Sequence, residues 1–117
     1  MVAKKLEELS ARGERLVARL VRGKATPKLA PFDVVDFTSR TAYEVKTVSK
    51  LALNGSNKIH IETGAWDRKQ AFLREYGLSG VLVVVVIASR DDVAVYSVDL
   101  RPHMRISTVI KRGRRIA

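Results

Sequence analysis

Val81-Leu82-Val83-Val84-Val85-Val86-Ile87 is an unbroken apolar run with no polar residue in either alternate set. Successive side chains of a strand point to opposite faces, so a strand of this sequence has to be covered on both sides. The run is far shorter than the roughly 18–20 residues a membrane-spanning helix needs. It therefore calls for a sheet with helices above and below it, and the flanking sequence can supply them. Leu6, Leu9, Leu16, Val17, Leu20 and Val21 recur at helical spacing between Lys4 and Val21 and predict an amphipathic helix. Gly13 costs that helix about 1 kcal/mol of propensity, which leaves open a later start or a break there. A second helix is expected from about Ala65 to Tyr76, with Thr63 as candidate N-cap and Gly77 just past its end.

The strands follow from shorter patterns. Gly23 to Pro31 reads as a loop, and Asn54-Gly55-Ser56-Asn57 as a turn. Phe32–Phe37 and Thr41–Val48 are β-prone runs separated only by Thr38-Ser39-Arg40, so a hairpin is the economical reading. Lys58–Glu62 alternates through Ile59 and Ile61, and Asp92–Leu100 alternates again as a last strand toward an edge, broken by Pro102. The order is helix, three strands, helix, then one or two strands. The expectation is an α/β fold, a small mixed sheet flanked by helices, in a single domain over residues 1–117. The basic run at 111–117 is expected as a flexible tail.

Charge narrows the class of partner. Lys and Arg number 22 against 12 Asp and Glu, a net charge of +10 in 117 residues, which points to a polyanion. The absence of cysteine excludes a disulfide scaffold, a Cys-based zinc site and a cysteine nucleophile. Met-Val-Ala-Lys-Lys is followed at once by Leu6-Glu7-Glu8-Leu9, not by an apolar signal core. A soluble protein with no membrane partner is expected, inside the cell: the cytoplasm or nucleoid of a prokaryote, or a host cell if the source is viral.

The hairpin carries the residues with chemistry in them. Glu44 and Lys46 lie two apart and share a strand face. Which aspartate joins them depends on the turn. If Ser39 and Arg40 form a two-residue loop, Thr38 lies opposite Thr41, Val35 opposite Glu44 and Asp33 opposite Lys46, so Asp33 shares their face. A three-residue loop shifts the parity and brings Asp36 there instead. Asp33 is preferred because two-residue hairpins are common. Two carboxylates held together repel, so one takes a proton or a cation sits between them. A hard divalent ion such as Mg²⁺ suits oxygen donors of this kind. Lys46 beside it could orient a water and offset charge on a phosphate. The bland alternative is a solvated hairpin with alternating charge.

The Asp33…Glu44-Val45-Lys46 string resembles the PD-(D/E)XK nuclease motif, and the wider layout is similar to that of archaeal Holliday junction resolvases. Gly13-Glu14-Arg15-Leu16-Val17 resembles that family's first helix and Asp33-Val34-Val35 its first acidic strand. Tyr43-Glu44-Val45-Lys46 resembles its central strand. Gln70 to Gly77 followed by the Val81–Ile87 run resembles its second helix and next strand. Thr47 after the lysine and Asp36 after the first acidic strand depart from the pattern. The resemblance implies a restriction-endonuclease-like fold and a homodimer that hydrolyses phosphodiesters of branched DNA at four-way junctions with Mg²⁺ or Mn²⁺. Asp33 and Glu44 would ligate the metal, Lys46 would assist the water, and Glu14 would complete the acidic site, with Glu7 two turns earlier at nearly the same helical angle. Arg12, Arg15, Lys50, Arg68, Lys69 and Gln70 are the candidate DNA contacts. The basic residues form two blocks, at 1–28 and 101–117, both expected to flank the active face. Trp66 and Phe72 are read as core by default. His60, between Ile59 and Ile61, faces away from them and is expected exposed near DNA, whereas His103 is not expected to be catalytic. Two rival functions stand beside this one: another PD-(D/E)XK nuclease of phage or restriction type acting on flaps or duplex, and a non-catalytic basic nucleic-acid-binding module.

Overall fold

The computed structural model describes residues 2–27, 29–50 and 57–117, with side chains from residue 8 onward. In chain order the elements are helix α1 (Val2–Val21), strands β1 (Lys24–Ala25), β2 (Val34–Asp36), β3 (Thr41–Ser49) and β4 (Lys58–His60), helix α2 (Thr63–Tyr76), strands β5 (Ser79–Ile87), β6 (Val93–Asp99) and β7 (His103–Arg105), helix α3 (Ile106–Arg112) and strand β8 (Arg114–Arg115). Six strands form one mixed sheet in the order β1-β2-β3-β5-β6-β8, while β4 and β7 pair as a separate ribbon. β3 and β5 run parallel, which requires a crossover, and α2 lies within it. The turn signal at 54–57 falls outside the described residues except for Asn57.

The apolar run is buried on both faces, as its sequence requires. Val83, Val85 and Ile87 pack with Val17 of α1 and with Val34, Val45 and Val95. Leu82, Val84 and Val86 pack with Ile59 of the ribbon and with Ile106 and Val109 of α3. Phe72 and Leu73 of α2 close a third cluster over Phe32, Val35, Ala42 and Leu78. Leu100 touches both the second and third clusters, so α2, α3 and the ribbon share one side of the sheet and α1 covers the other.

The structure settles one reading the sequence left open and corrects four expectations. α1 runs unbroken through Gly13, because that glycine is where the helix meets the sheet: a Cβ there would lie 1.8 Å from Thr47 Oγ1. The third expected strand, 58–62, leaves the main sheet and pairs with β7 instead. Glu62, not Thr63, is the N-cap of α2, with no side-chain cap bond, while Gly77 ends the helix at φ 63° as anticipated. The 111–117 segment is not a free tail. It finishes α3, pairs as β8 with β6, and is held further by hydrogen bonds between Val95 and residues 116 and 117. The β6 strand is therefore not the sheet edge.

Candidate active site

β2 and β3 pair through Asp36↔Thr41, Val35↔Ala42 and Val34↔Tyr43. The connecting loop is thus residues 37–40, four residues rather than two. Asp36 explains the longer loop: its Oδ1 accepts from the Thr38 N–H at 3.0 Å and its Oδ2 from the Ser39 hydroxyl at 2.7 Å. The hydroxyl bond from Ser39 is the main reason its carboxyl is held below the ordinary range. Asp36, the alternative candidate ligand, spends both oxygens on the turn. An even loop keeps the parity expected from a two-residue one, but slides the register by two residues. By the same count Asp33 falls opposite Glu44, not Lys46.

The pairing ends there, and Asp33 caps it. Its N–H donates to the Tyr43 carbonyl at 3.0 Å. Its Oδ2 accepts from the Val45 N–H at 2.8 Å, in the position of the next backbone rung. A carboxylate so engaged turns the unpaired edge of β3 into a fixed anionic corner. Glu44 and Lys46 stand on the α2 side of β3, with Lys46 exposed and Glu44 largely covered.

Glu14 approaches from α1. Gly13 allows that helix turn to lie against Thr47, and Glu14 is the next residue. Its carboxyl is pushed above the usual range by burial first, then by the charges of Asp33 and Glu44. Glu44 is raised by burial and by Asp33, against the opposing pull of Lys69 and Lys46. Glu14 and Glu44 therefore both feel the charge of Asp33 at the open edge of β3. The side chain of Glu7, the alternative to Glu14, lies outside the described residues.

Lys69 is the residue the sequence reading misassigned. Expected as a DNA contact, it is buried on α2, and its Nζ is 2.7 Å from Glu44 Oε2. The same ammonium donates to the Pro31 carbonyl and sits 4.7 Å from the centroid of the Phe32 ring. A signal for this existed: Lys69 precedes Phe72 and Leu73 by three and four positions, on the same helix stripe. Gln70 is about 100° further round the helix and is half-buried.

Arg15, Lys50 and Arg68 are exposed. Arg12 donates to the Arg90 carbonyl at 2.7 Å. Lys50 lines a cleft with Asp92 and Arg115. Arg114 and Arg115 lie on β8, at the far edge of the sheet from β1 and β2, so this part of the C-terminal basic block does not flank the Asp33–Glu44 corner.

The donor set fits a hard divalent ion. Among the described residues, no hydrogen bond reaches the second oxygen of Asp33 or of Glu44. Both are hard donors, and a cation would offset the burial and the neighbouring charge that raise Glu14 and Glu44. No group of three or more His, Cys, Asp or Glu among the described residues is set closely enough to hold an ion. The candidate donor set is therefore two carboxylates, and an ion held there would have to take its remaining ligands from water.

No family model matches the chain, and its sequence matches no curated protein. Among solved structures it is similar to the 1.6 Å structure of Archaeoglobus fulgidus Hjc, a Holliday junction resolvase from an archaeal hyperthermophile. The two share 17% sequence identity over 92% of each chain, with a TM-score of 0.62. At that identity the likeness shows the fold: a central mixed sheet flanked by helices. No helix among the described residues is long and apolar enough to cross a membrane.

Proposed function

We propose that this protein is a metal-dependent, structure-selective DNA endonuclease acting at four-way junctions inside the cell. The observation that carries the reading is the gathering of Asp33, Glu44, Glu14 and Lys46 at the open edge of β3 in a chain of net charge +10. The Hjc fold adds weight to a junction as substrate.

Asp33 and Glu44 would hold Mg²⁺ or Mn²⁺. When bound, such an ion supplies a Lewis acid for the phosphate and lowers the pKa of a coordinated water. Val45 fixes one oxygen of Asp33 and Lys69 fixes one oxygen of Glu44, so each carboxylate is oriented before substrate arrives. Lys46 is exposed beside them, free to orient the attacking water and to offset charge developing on the phosphate. Glu14 adds a third anion that draws a cation to this corner. Backbone contacts by arginine and lysine would supply affinity without base readout. Phe37 and Tyr76 are 62% and 51% exposed and meet edge to face at 6.1 Å, next to Phe72, which supports a two-fold dimer face here.

The test is cleavage of a fixed four-way junction, a flap and a linear duplex side by side with Mg²⁺ or Mn²⁺. Paired symmetric nicks on the junction alone are expected. Cleavage of flap or duplex instead favours another nuclease of the same chemistry. No cleavage of any DNA favours a non-catalytic binding module and overturns the proposal.

A further inference from the structure

The β4–β7 ribbon carries basic side chains that the hydrolytic site does not use. Its outward positions are Lys58, His60, His103 and Arg105, while Ile59 is buried and Met104 packs inward. In register, Lys58 lies opposite Arg105 and His60 opposite His103. Like charges directly opposite weaken an antiparallel pair, and two-stranded ribbons are marginal to begin with. Stability alone would favour an acid in at least one of these four positions. The two imidazoles stack at 4.5 Å between centroids with their Nδ1 atoms 2.7 Å apart, within hydrogen-bonding distance in the tautomer that puts a proton on one of those two nitrogens.

Arg101 joins these four residues around a cleft of about 640 Å³ that has no acidic residue in its lining. Asp99 and Arg112 lie in an adjoining cleft that shares Arg101, where their charges offset. A histidine pair can ligate a transition metal, but an ammonium and two guanidinium groups around it oppose a cation. The same surroundings favour an anion. Alternate positions on a strand are about 6.6 Å apart, close to the spacing of neighbouring phosphates along a nucleic-acid strand.

We propose that the outer face of the β4–β7 ribbon is a DNA backbone contact, in which Lys58, His60, Arg101, His103 and Arg105 hold two neighbouring phosphates away from the bond to be cut. This rests on the nuclease reading only for the identity of the polyanion.

The experiment compares the unmodified protein with Lys58→Ala/Arg105→Ala and His60→Gln/His103→Gln. Binding of a fluorescent four-way junction is followed by anisotropy in EDTA from 50 to 300 mM KCl. The lysine–arginine variant should bind about tenfold more weakly at the lowest salt and lose about two units of the log–log salt slope. Its melting temperature should not fall, because a repulsive pair has gone. The histidine variant should also bind more weakly, and in the unmodified protein the His60 and His103 ring resonances should shift as DNA is added. Unchanged affinity and slope in both variants would overturn the ribbon contact alone. Failure of the unmodified protein to bind any DNA would remove both readings together.

Discussion

Lys69 Nζ stands 2.7 Å from Glu44 Oε2, largely out of solvent, and so couples helix α2 to the acid of the central strand. The same ammonium bonds the Pro31 carbonyl, two residues before Asp33. One buried cation thereby joins the two chain segments that present the candidate metal ligands. Its charge also opposes the burial and the Asp33 repulsion that push the Glu44 carboxyl up.

Lys69→Met should leave Glu44 covered without its partner and cost about 3 kcal/mol, read by urea denaturation at pH 7. Adding Glu44→Gln should recover part of that loss, with a coupling of about 1–3 kcal/mol in the double-mutant cycle. Additive losses would show that the two groups do not act on each other.

Gly13→Ala should destabilise by about 1–3 kcal/mol despite alanine's better helix propensity, because the new methyl meets Thr47 Oγ1. Turning that hydroxyl away does not clear the methyl, because Thr47 Cβ and Cγ2 lie 3.0 and 3.2 Å from the same point. Thr47→Ala in the same chain should restore most of the stability, since it removes the opposing atom.

Asp33→Asn should abolish cleavage while leaving junction binding within a few-fold of the unmodified protein. Asp36→Asn should retain cleavage and lose only some order in the 37–40 turn, because its oxygens serve Thr38 and Ser39. Nicking assays and anisotropy on the two variants separate a ligand from a turn residue. Loss of activity in Asp36→Asn with retention in Asp33→Asn would reverse the assignment.

Glu14 and Glu44 both bind protons more tightly when folded than a free carboxyl does. Between the ordinary carboxyl pKa and these raised values the folded state holds more protons, so stability declines as pH rises through that window. A divalent ion competes for the same oxygens. The increase in melting temperature on adding Mn²⁺ should therefore be larger at pH 8 than at pH 5. Glu14→Gln should raise the metal-free melting temperature at pH 8 by a few degrees at most, a fraction of a kcal/mol in a chain of this size. Equal Mn²⁺ effects at both pH values would exclude these carboxylates as the ion's site.

The alternation and continuity of short segments decided much of this molecule from sequence alone. Val81–Ile87 had to be a doubly covered strand because no set of its alternate positions can face water. Glu44 and Lys46 had to share a face because the strand period is two. The parity that selected Asp33 survived the mistake in loop length because a four-residue and a two-residue turn differ by an even count. Only the tertiary structure could decide which charge is taken inside. Lys69 reads as a solvated helix cation until Glu44, Pro31 and Phe32 are brought to it from another part of the chain. Glu14 likewise reaches the acidic corner because Gly13 leaves room for Thr47, and His60 meets His103 across 43 positions of sequence. Periodicity is set by neighbouring residues, whereas the free energy of a buried charge is set by whatever distant group the fold lays beside it.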